Sequence, residues 1–310
     1  MRNAIAPHMI PASCAEVVRA YGSEAHFHLT GTYTDGQYVM FTSVTPPGDG
    51  PPPHFHAAED EWWFVLDGEP EFFDGTSWIP VAAGGAVFMP ANSFHTFRNA
   101  GDKPLRQIVH TAPSGFEHFL KKSEVEFQNG GAPEMNRILE IGAEFGIYFP
   151  TIAPDDASKR CEPLVPPVVV QPDQTKVVRA FGDEGTILLD TEKTGGRLAS
   201  LIAVTPPGGG PPAHIHQRED EWFYVLEGDV SFMLDGAWST AQPGDVVFAP
   251  RNSVHTFKNN TDRPIRMLIH TAPSGFEKFF EEAAIEFSRS SRPDMSRLST
   301  IAGDYGIHFV

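Results

Sequence analysis

The stretch PPPHFHAAEDEWWFVLDG, residues 51–68, sets two histidines two positions apart, follows them with Glu59, Asp60 and Glu61, and runs at once into WWFVL. In an extended strand residues i and i+2 share a face, so His54 and His56 project together. Glu61 lies an odd number of positions further on. The intervening AAED is poor in strand formers and is expected to turn or bulge, returning the carboxylate to the same side. Imidazole and carboxylate beside a strongly apolar run predict a polar site built onto a core strand.

The same stretch returns in the second half of the chain. VTPPGDGPPPHFHAAEDEWWFVLDG (44–68) matches VTPPGGGPPAHIHQREDEWFYVLEG (204–228) without gaps, with 17 of 25 positions identical. HTAPSGFE at 110–117 recurs unchanged at 270–277, EVVRAYG (16–22) returns as KVVRAFG (176–182), and AEFGIYF (143–149) as GDYGIHF (303–309). The chain is one module duplicated at an offset of 160 residues. The reading is an N-terminal domain over 1–150, a Pro-rich, charged linker over 151–165 and a C-terminal domain over 166–310.

Each copy has the same texture. Short apolar or alternating runs (QYVMFTSV, WWFVLDG, GAVFMP, PLRQIVH) are separated by Gly, Pro and Asp turns, which predicts an antiparallel all-β sandwich or barrel. The period then changes. GFEHFLKKSEVEF (115–127) and PEMNRILEIGAEFG (133–146) carry apolar residues at helical spacing, with counterparts near 275–287 and 293–306. About two helices are therefore expected after each β module.

Composition bounds the partners. With 23 Lys+Arg against 40 Asp+Glu the net charge is −17, a field that repels phosphate backbones and anionic membrane surfaces, so nucleic acid and membrane are excluded as partners. No run of 18 apolar residues occurs, and the N-terminal MRNAIAPHMIPASC lacks the apolar core of a signal peptide. Cys14 and Cys161 do not occupy matching places in the repeat and are read as free thiols of a reducing compartment. The expectation is a cytoplasmic protein.

A later strand in each copy supplies one more imidazole: His95 in MPANSFHTFRN and His255 in APRNSVHTFKN. Adjacent antiparallel strands can bring it beside the HxH pair. The candidate metal ligands are therefore His54, His56, Glu61 and His95, and His214, His216, Glu221 and His255. Strand parity adds pocket walls: if Glu61 and His95 face inward, so do Trp63 and Phe97, with Phe223 and Phe257 as counterparts. Glu59 and Asp60, like Glu219 and Asp220, are expected to face solvent or fix the turn, with one of them able to support a ligand. His110 and His270 are expected to cap or fill the core. Asn99 and Asn259 are read as turn residues, and His8, His26, His28, His118 and His308 as ordinary surface or strand residues.

These residues resemble the two motifs of the cupin superfamily, and the resemblance spans both halves. Gly68 follows Glu61, and Gly228 follows Glu221, at the spacing of the first motif. Gly84, Pro90, His95 and Asn99, with Gly244, Pro250, His255 and Asn259, match the second. One departure is Asn92 and Asn252, where the family has glycine; Asn tolerates the left-handed conformation that turn needs. The resemblance implies two tandem cupin barrels of the double-stranded β-helix, or jelly-roll, kind. Each would hold one divalent transition metal (Fe, Mn, Ni, Co or Cu, with Zn an alternative). Three neutral imidazoles and one carboxylate around a dication leave a net charge near +1, which favours an anionic oxygen ligand. The chain looks most like two-domain quercetin 2,3-dioxygenases. That implies a planar enol, flavonol or diketone-like small molecule and O₂ as substrates, with Glu61 and Glu221 as ligand and proton acceptor together. The alternatives are an oxalate decarboxylase-like or isomerase bicupin and, in another class, a non-catalytic metal- or ligand-binding bicupin. A homodimer would cover the open edges of the sheets.

Overall fold

A computed structural model describes residues 5–128, 133–289 and 293–310. The chain divides into two compact units, Ala15–Gln174 and Thr175–Val310, the second joined by Met1–Cys14.

In the first unit a seven-stranded antiparallel sheet runs in the order Val168–Val170, Ala86–Met89, Asp60–Asp67, Leu105–Ala112, Val39–Thr45, Ser23–Leu29, Glu16–Ala20. A smaller sheet orders Thr96–Asn99, Pro70–Phe73 and Trp78–Pro80. Phe55–His56 pairs with Ile147–Tyr148, and His54 forms a single antiparallel bridge to His95. The strand Asp60–Asp67 is buried on both faces through Val65. That is why its sequence reads as an unbroken apolar run instead of an alternation. The core draws on both sheets, with Val65, Val87 and Val109 from the large one and Phe72 and Phe97 from the small one.

Two helices follow, Phe116–Gln128 and Met135–Glu144. The first lies against Glu16–Ala20 and buries Phe116, Phe119 and Leu120, the i, i+3, i+4 stripe of an amphipathic helix. Its start is fixed by the buried Glu117, whose carboxylate accepts from the backbone N–H groups of Gly31 (3.0 Å) and Gly115 (2.9 Å). Glu277 does the same for Thr191 (3.0 Å) and Gly275 (2.8 Å). A negative group at a helix N-terminus is favoured there, which gives the unchanged SGFE a physical role.

The second unit repeats the plan. Its large sheet orders His8–Ile10, Val246–Ala249, Asp220–Glu227, Ile265–Ala272, Ala199–Thr205, Asp183–Leu189 and Lys176–Ala180. Its smaller sheet orders Ala237–Ala241, Val230–Leu234, His255–Lys258, His214–His216 and Ile307–Phe309. The helices are Phe276–Arg289 and Met295–Asp304. The all-β modules with two helical appendages each are as expected. Short helical turns at Gly31–Thr34 and Thr191–Thr194 were not.

The unit boundaries differ from the sequence reading of 1–150, 151–165 and 166–310. His8–Ile10, read as part of the first domain, pairs with Val246–Ala249; Val168–Val170, read as part of the second, pairs with Ala86–Met89. The segment preceding each copy thus supplies an edge strand to the other copy's sheet, covering backbone groups that would otherwise be unpaired. The stretch read as linker is partly ordered: Pro154–Lys159 forms a 3₁₀ turn, and Arg160 Nε donates to the carbonyl of Asn92 at 2.9 Å. Among the described residues no helix is long and apolar enough to cross a membrane.

Candidate metal centres

The turn expected between His56 and Glu61 is a change of sheet. His54 bridges to His95 and His56 lies on the short ladder with Ile147–Tyr148, while Glu61 lies on Asp60–Asp67 of the large sheet. The chain crosses between the two at Ala57–Glu59, so strand parity is reset there. The structure brings His54, His56, Glu61 and His95 together, all four buried, with one potential ligand atom from each lying within 4.8 Å of the others. His214, His216, Glu221 and His255 form the same cluster in the second unit. The rings keep matching separations: His54–His95 centroids are 4.6 Å apart and His214–His255 4.4 Å.

The outward-facing nitrogens fix the tautomers. His54 Nδ1 lies 2.8 Å from the carbonyl of Pro52, His95 Nδ1 2.8 Å from that of Ser93, and His56 Nδ1 2.7 Å from Glu59 Oε2. Each partner can only accept, so Nδ1 carries the proton and every Nε2 turns a free lone pair inward. His214 and His255 repeat this with the carbonyls of Pro212 (2.8 Å) and Ser253 (3.1 Å). These carbonyls left no mark in the sequence, since every residue has one.

The inward lone pairs face a carboxylate. Glu61 Oε2 is 3.1 Å from His95 Nε2 and 3.3 Å from His56 Nε2; Glu221 Oε2 is 2.8 Å from His255 Nε2 and 3.4 Å from His216 Nε2. Acceptors held this close in a buried site repel one another unless a cation lies among them. The donor set therefore fits a divalent transition metal, which takes imidazole and carboxylate together. The surroundings act on the rings in two directions. Burial, reinforced by the neighbouring His95 and His56, holds His54 well below its ordinary value and keeps it neutral, and the same causes act on His214 through His255 and His216. For His56 burial pulls downward too, but the Glu59 hydrogen bond and the Glu61 charge outweigh it and the net direction is upward.

Of the two roles expected for Glu59, the structure favours support of a ligand over exposure to solvent. Glu59 is 5% exposed, not solvent-facing, and it orients His56. Asp60, Glu219 and Asp220 are buried as well. Asp60 accepts from the N–H of Ala91 at 2.8 Å, and Asp220 pairs with Arg251, so both brace the loop that leads to the later histidine. The two supports differ: His216 Nδ1 stands 3.4 Å from Glu219 Oε2, beyond the 2.7 Å contact made by Glu59. Asn92 and Asn252 adopt φ of 70° and 69°, the left-handed turn for which they replace glycine. His110 and His270 are core residues stacked on Trp62 and Trp222, and burial drops His270 to about 3. Asn99 and Asn259 are buried, each side chain closing a loop through two backbone carbonyls.

Each cluster opens into a cavity. The first is lined by His54, Glu61, Trp63 and Phe97 and by residues that parity could not supply: Phe116, Phe119 and Phe149 from the helical segment. The second is lined by His214, Glu221, Phe223 and Phe257 with Phe276, Phe279 and Phe309. Neither lining contains Lys or Arg.

Residues 41–111 and 201–271 each match the Cupin domain family. The chain is a bicupin, with one cupin domain in each half. It is 25% identical over 251 residues to the quercetin 2,3-dioxygenase of Bacillus subtilis (strain 168), a match covering 75% of this chain and 72% of that one. Among solved structures it resembles oxalate decarboxylase of Lactobacillus farciminis in its formate complex, with a TM-score of 0.64, 18% identity and 88% of each chain covered. Bacillus subtilis oxalate decarboxylase, which has Mn(II) centres, aligns with a TM-score of 0.62 and 19% identity over 88% of this chain and 79% of that one. At these identities the structural likeness speaks for the fold.

Proposed function

We propose that this bicupin is a metal-dependent dioxygenase acting on a planar enol of the flavonol or β-diketone type, with one centre in each domain. The observation that carries this reading is the joining of a three-histidine, one-glutamate cluster to a cavity walled by aromatic rings and free of basic side chains. The similarity to quercetin 2,3-dioxygenase along three quarters of the chain supports the same reaction class.

His54, His56, Glu61 and His95 would hold the metal in the first domain, and His214, His216, Glu221 and His255 in the second. A divalent ion there, with Mn the first to test and Fe, Ni, Co and Cu after it, would supply a Lewis acid for an enolate oxygen and access to O₂ chemistry. The remaining work belongs to the chain. Trp63 and Phe97, or Phe223 and Phe257, line the cavity beside the cluster and offer flat apolar walls to a planar ring. The Glu61 or Glu221 carboxylate stands at the cluster and accepts the enol proton. Glu59 holds the His56 ring in place during that transfer. Aromatic rings line the cavity around the cluster and limit the polar surface offered to water beside a bound enolate.

The lining weighs against the oxalate reading. A small dianion calls for a cationic partner. Arg98, the basic residue nearest in sequence to His95, points outward, tied to Glu71 and lying 4.4 Å from the Trp78 ring.

The test is to strip the protein of metal, reload it with Mn(II), Fe(II), Ni(II), Co(II) or Cu(II) singly, and follow O₂ uptake over a panel of flavonols and β-diketones. Uptake with at least one pair is expected, lost in the double variant Glu61→Gln/Glu221→Gln. Uptake with none sinks the dioxygenase reading. Metal-dependent isomerisation of the same compounds without O₂ would replace it.

A further inference from the structure

The two cavities are built from positions 160 residues apart, and their polar character differs at the end where Tyr21, whose hydroxyl is tied to Ser123 at 3.1 Å, is replaced by Phe181. Where the N-terminal cavity has Ser23 and Ser43, the C-terminal one has Asp183 and Ala203. Ser23 is engaged within the wall: its hydroxyl lies 2.8 Å from that of Thr45, which lies 3.4 Å from Ser43 Oγ. Asp183 is 7% exposed, and its Oδ1 is enclosed with no hydrogen-bond partner among the described residues. A buried carboxyl oxygen facing an apolar cavity without a partner is costly and calls for a ligand that satisfies it.

No cation neutralises it; the Thr205 hydroxyl, the counterpart of Thr45, is a hydrogen-bonding neighbour of the carboxyl, and Oδ1 is the oxygen left without a partner among the described residues. Asp183 also borders an outer groove whose cations are already paired, Lys176 with Glu281 and Arg179 with Glu184. Two positions along the same strand face, Gly185 lies under the Phe280 ring, where a Cβ would come within 2.5 Å of a ring carbon. Enclosure favours the protonated carboxyl, and in that form it acts as a hydrogen-bond donor. Burial raises Asp183 to about 7, against a smaller opposing influence from Thr205, which agrees with that reading.

Register places Asp183 far from the metal ligands. Its neighbour Glu184 pairs with Val204, whereas Glu221 pairs with Thr271 and Thr271 with Ala199. Val204 and Ala199 are five positions apart on one strand, roughly 17 Å at about 3.3 Å per residue. The cavity therefore has a metal-ligand end and an acid end.

We propose that Asp183 is the specificity-determining residue of the C-terminal cavity: its carboxyl donates a hydrogen bond to an ether, carbonyl or hydroxyl oxygen at the far end of an elongated ligand whose near end reaches the His214, His216, Glu221 and His255 cluster. The N-terminal cavity, with Ser23 tied to Thr45, takes ligands whose far end is apolar. This assignment rests on the reading of both cavities as enol sites.

The test is anaerobic calorimetric titration of the Mn(II)-loaded full chain with two isosteric probes, 3-hydroxyflavone carrying at its 4′ position either a butoxy or a 2-methoxyethoxy chain. The expected result is two classes of site, one binding the ether probe about tenfold more tightly than the alkyl probe. Asp183→Asn, which still donates, keeps that preference within about threefold; Asp183→Ser removes it; and Ser23→Asp creates it in the other class. A preference unchanged in Asp183→Ser, or lost in Asp183→Asn, overturns the assignment while leaving the enol reading intact. Binding of neither probe overturns both.

Discussion

The two cupin domains share a ligand set but not a cavity. The N-terminal cavity has Trp63 beside the cluster and a hydroxyl-lined far wall at Ser23 and Ser43; the C-terminal one has Phe223, an aromatic wall including Phe280, and a second carboxyl at Asp183. The residues that would hold the metal are the same in both, and the residues a ligand would meet are not. The candidate ligand set is present twice, and the cavity lining beside it differs between the copies. The difference extends to ligand support, since Glu59 contacts His56 at 2.7 Å while Glu219 stands 3.4 Å from His216.

The largest expected effect tests whether the two clusters are independent. His56→Ala or His216→Ala should each lower bound metal by one equivalent per chain, with the other site still loaded, as measured by elemental analysis of the folded variant. Loss of both equivalents from one substitution would show that the sites are coupled.

Next comes the carboxyl found in one cavity alone. Asp183 rises from an ordinary 3.8 to about 7 in the folded chain, a difference on the order of 4 kcal/mol. Between these values the folded protein keeps the proton and the unfolded chain has lost it. Stability contributed by this group is therefore full below about pH 4 and falls as pH rises to about 7. Asp183→Asn removes that dependence, so its Tm should match the parent at pH 4 and exceed it at pH 8. An equal Tm at pH 8 would contradict the enclosed, protonated acid.

Supporting contacts to a metal-binding histidine are typically worth about 10- to 100-fold in metal affinity. Glu59→Gln should weaken binding in the first domain by an amount in that range, and Glu219→Gln should weaken the second by less, in competition titrations with a chelator. Equal losses would show that the 3.4 Å separation closes when the metal is bound.

The smallest effect concerns wall packing. Gly185→Ala pushes a Cβ into the Phe280 ring and should cost about 1–3 kcal/mol by chemical denaturation, whereas Gly185→Ala combined with Phe280→Leu, the pairing present at Ala25 and Leu120, should recover most of it. Failure of the second change to rescue the first would separate the two positions.

The sequence by itself determined the duplication, the β modules with their helical tails, and all eight candidate ligands. These are written in local patterns: HxH on a strand, a carboxylate at fixed spacing, a histidine after a proline turn, and Asn92 and Asn252 in a conformation that few other residues accept. Inward-facing Trp63, Phe97, Phe223 and Phe257 were legible for the same reason, because parity along one strand is a local property. Only the tertiary structure decided what depends on meetings between distant segments. The exchange of His8–Ile10 and Val168–Val170 between sheets could not be read, since three apolar residues do not say which exposed edge they will cover. Glu59 looked like a solvated turn residue until the crossing between sheets buried it against His56. Asp183 carried no signal in the sequence; its enclosure follows from rings that Phe279 and Phe280 bring from a helix nearly a hundred positions away, and burial, which sets the cost of a carboxyl oxygen without a partner, is a property of the folded whole.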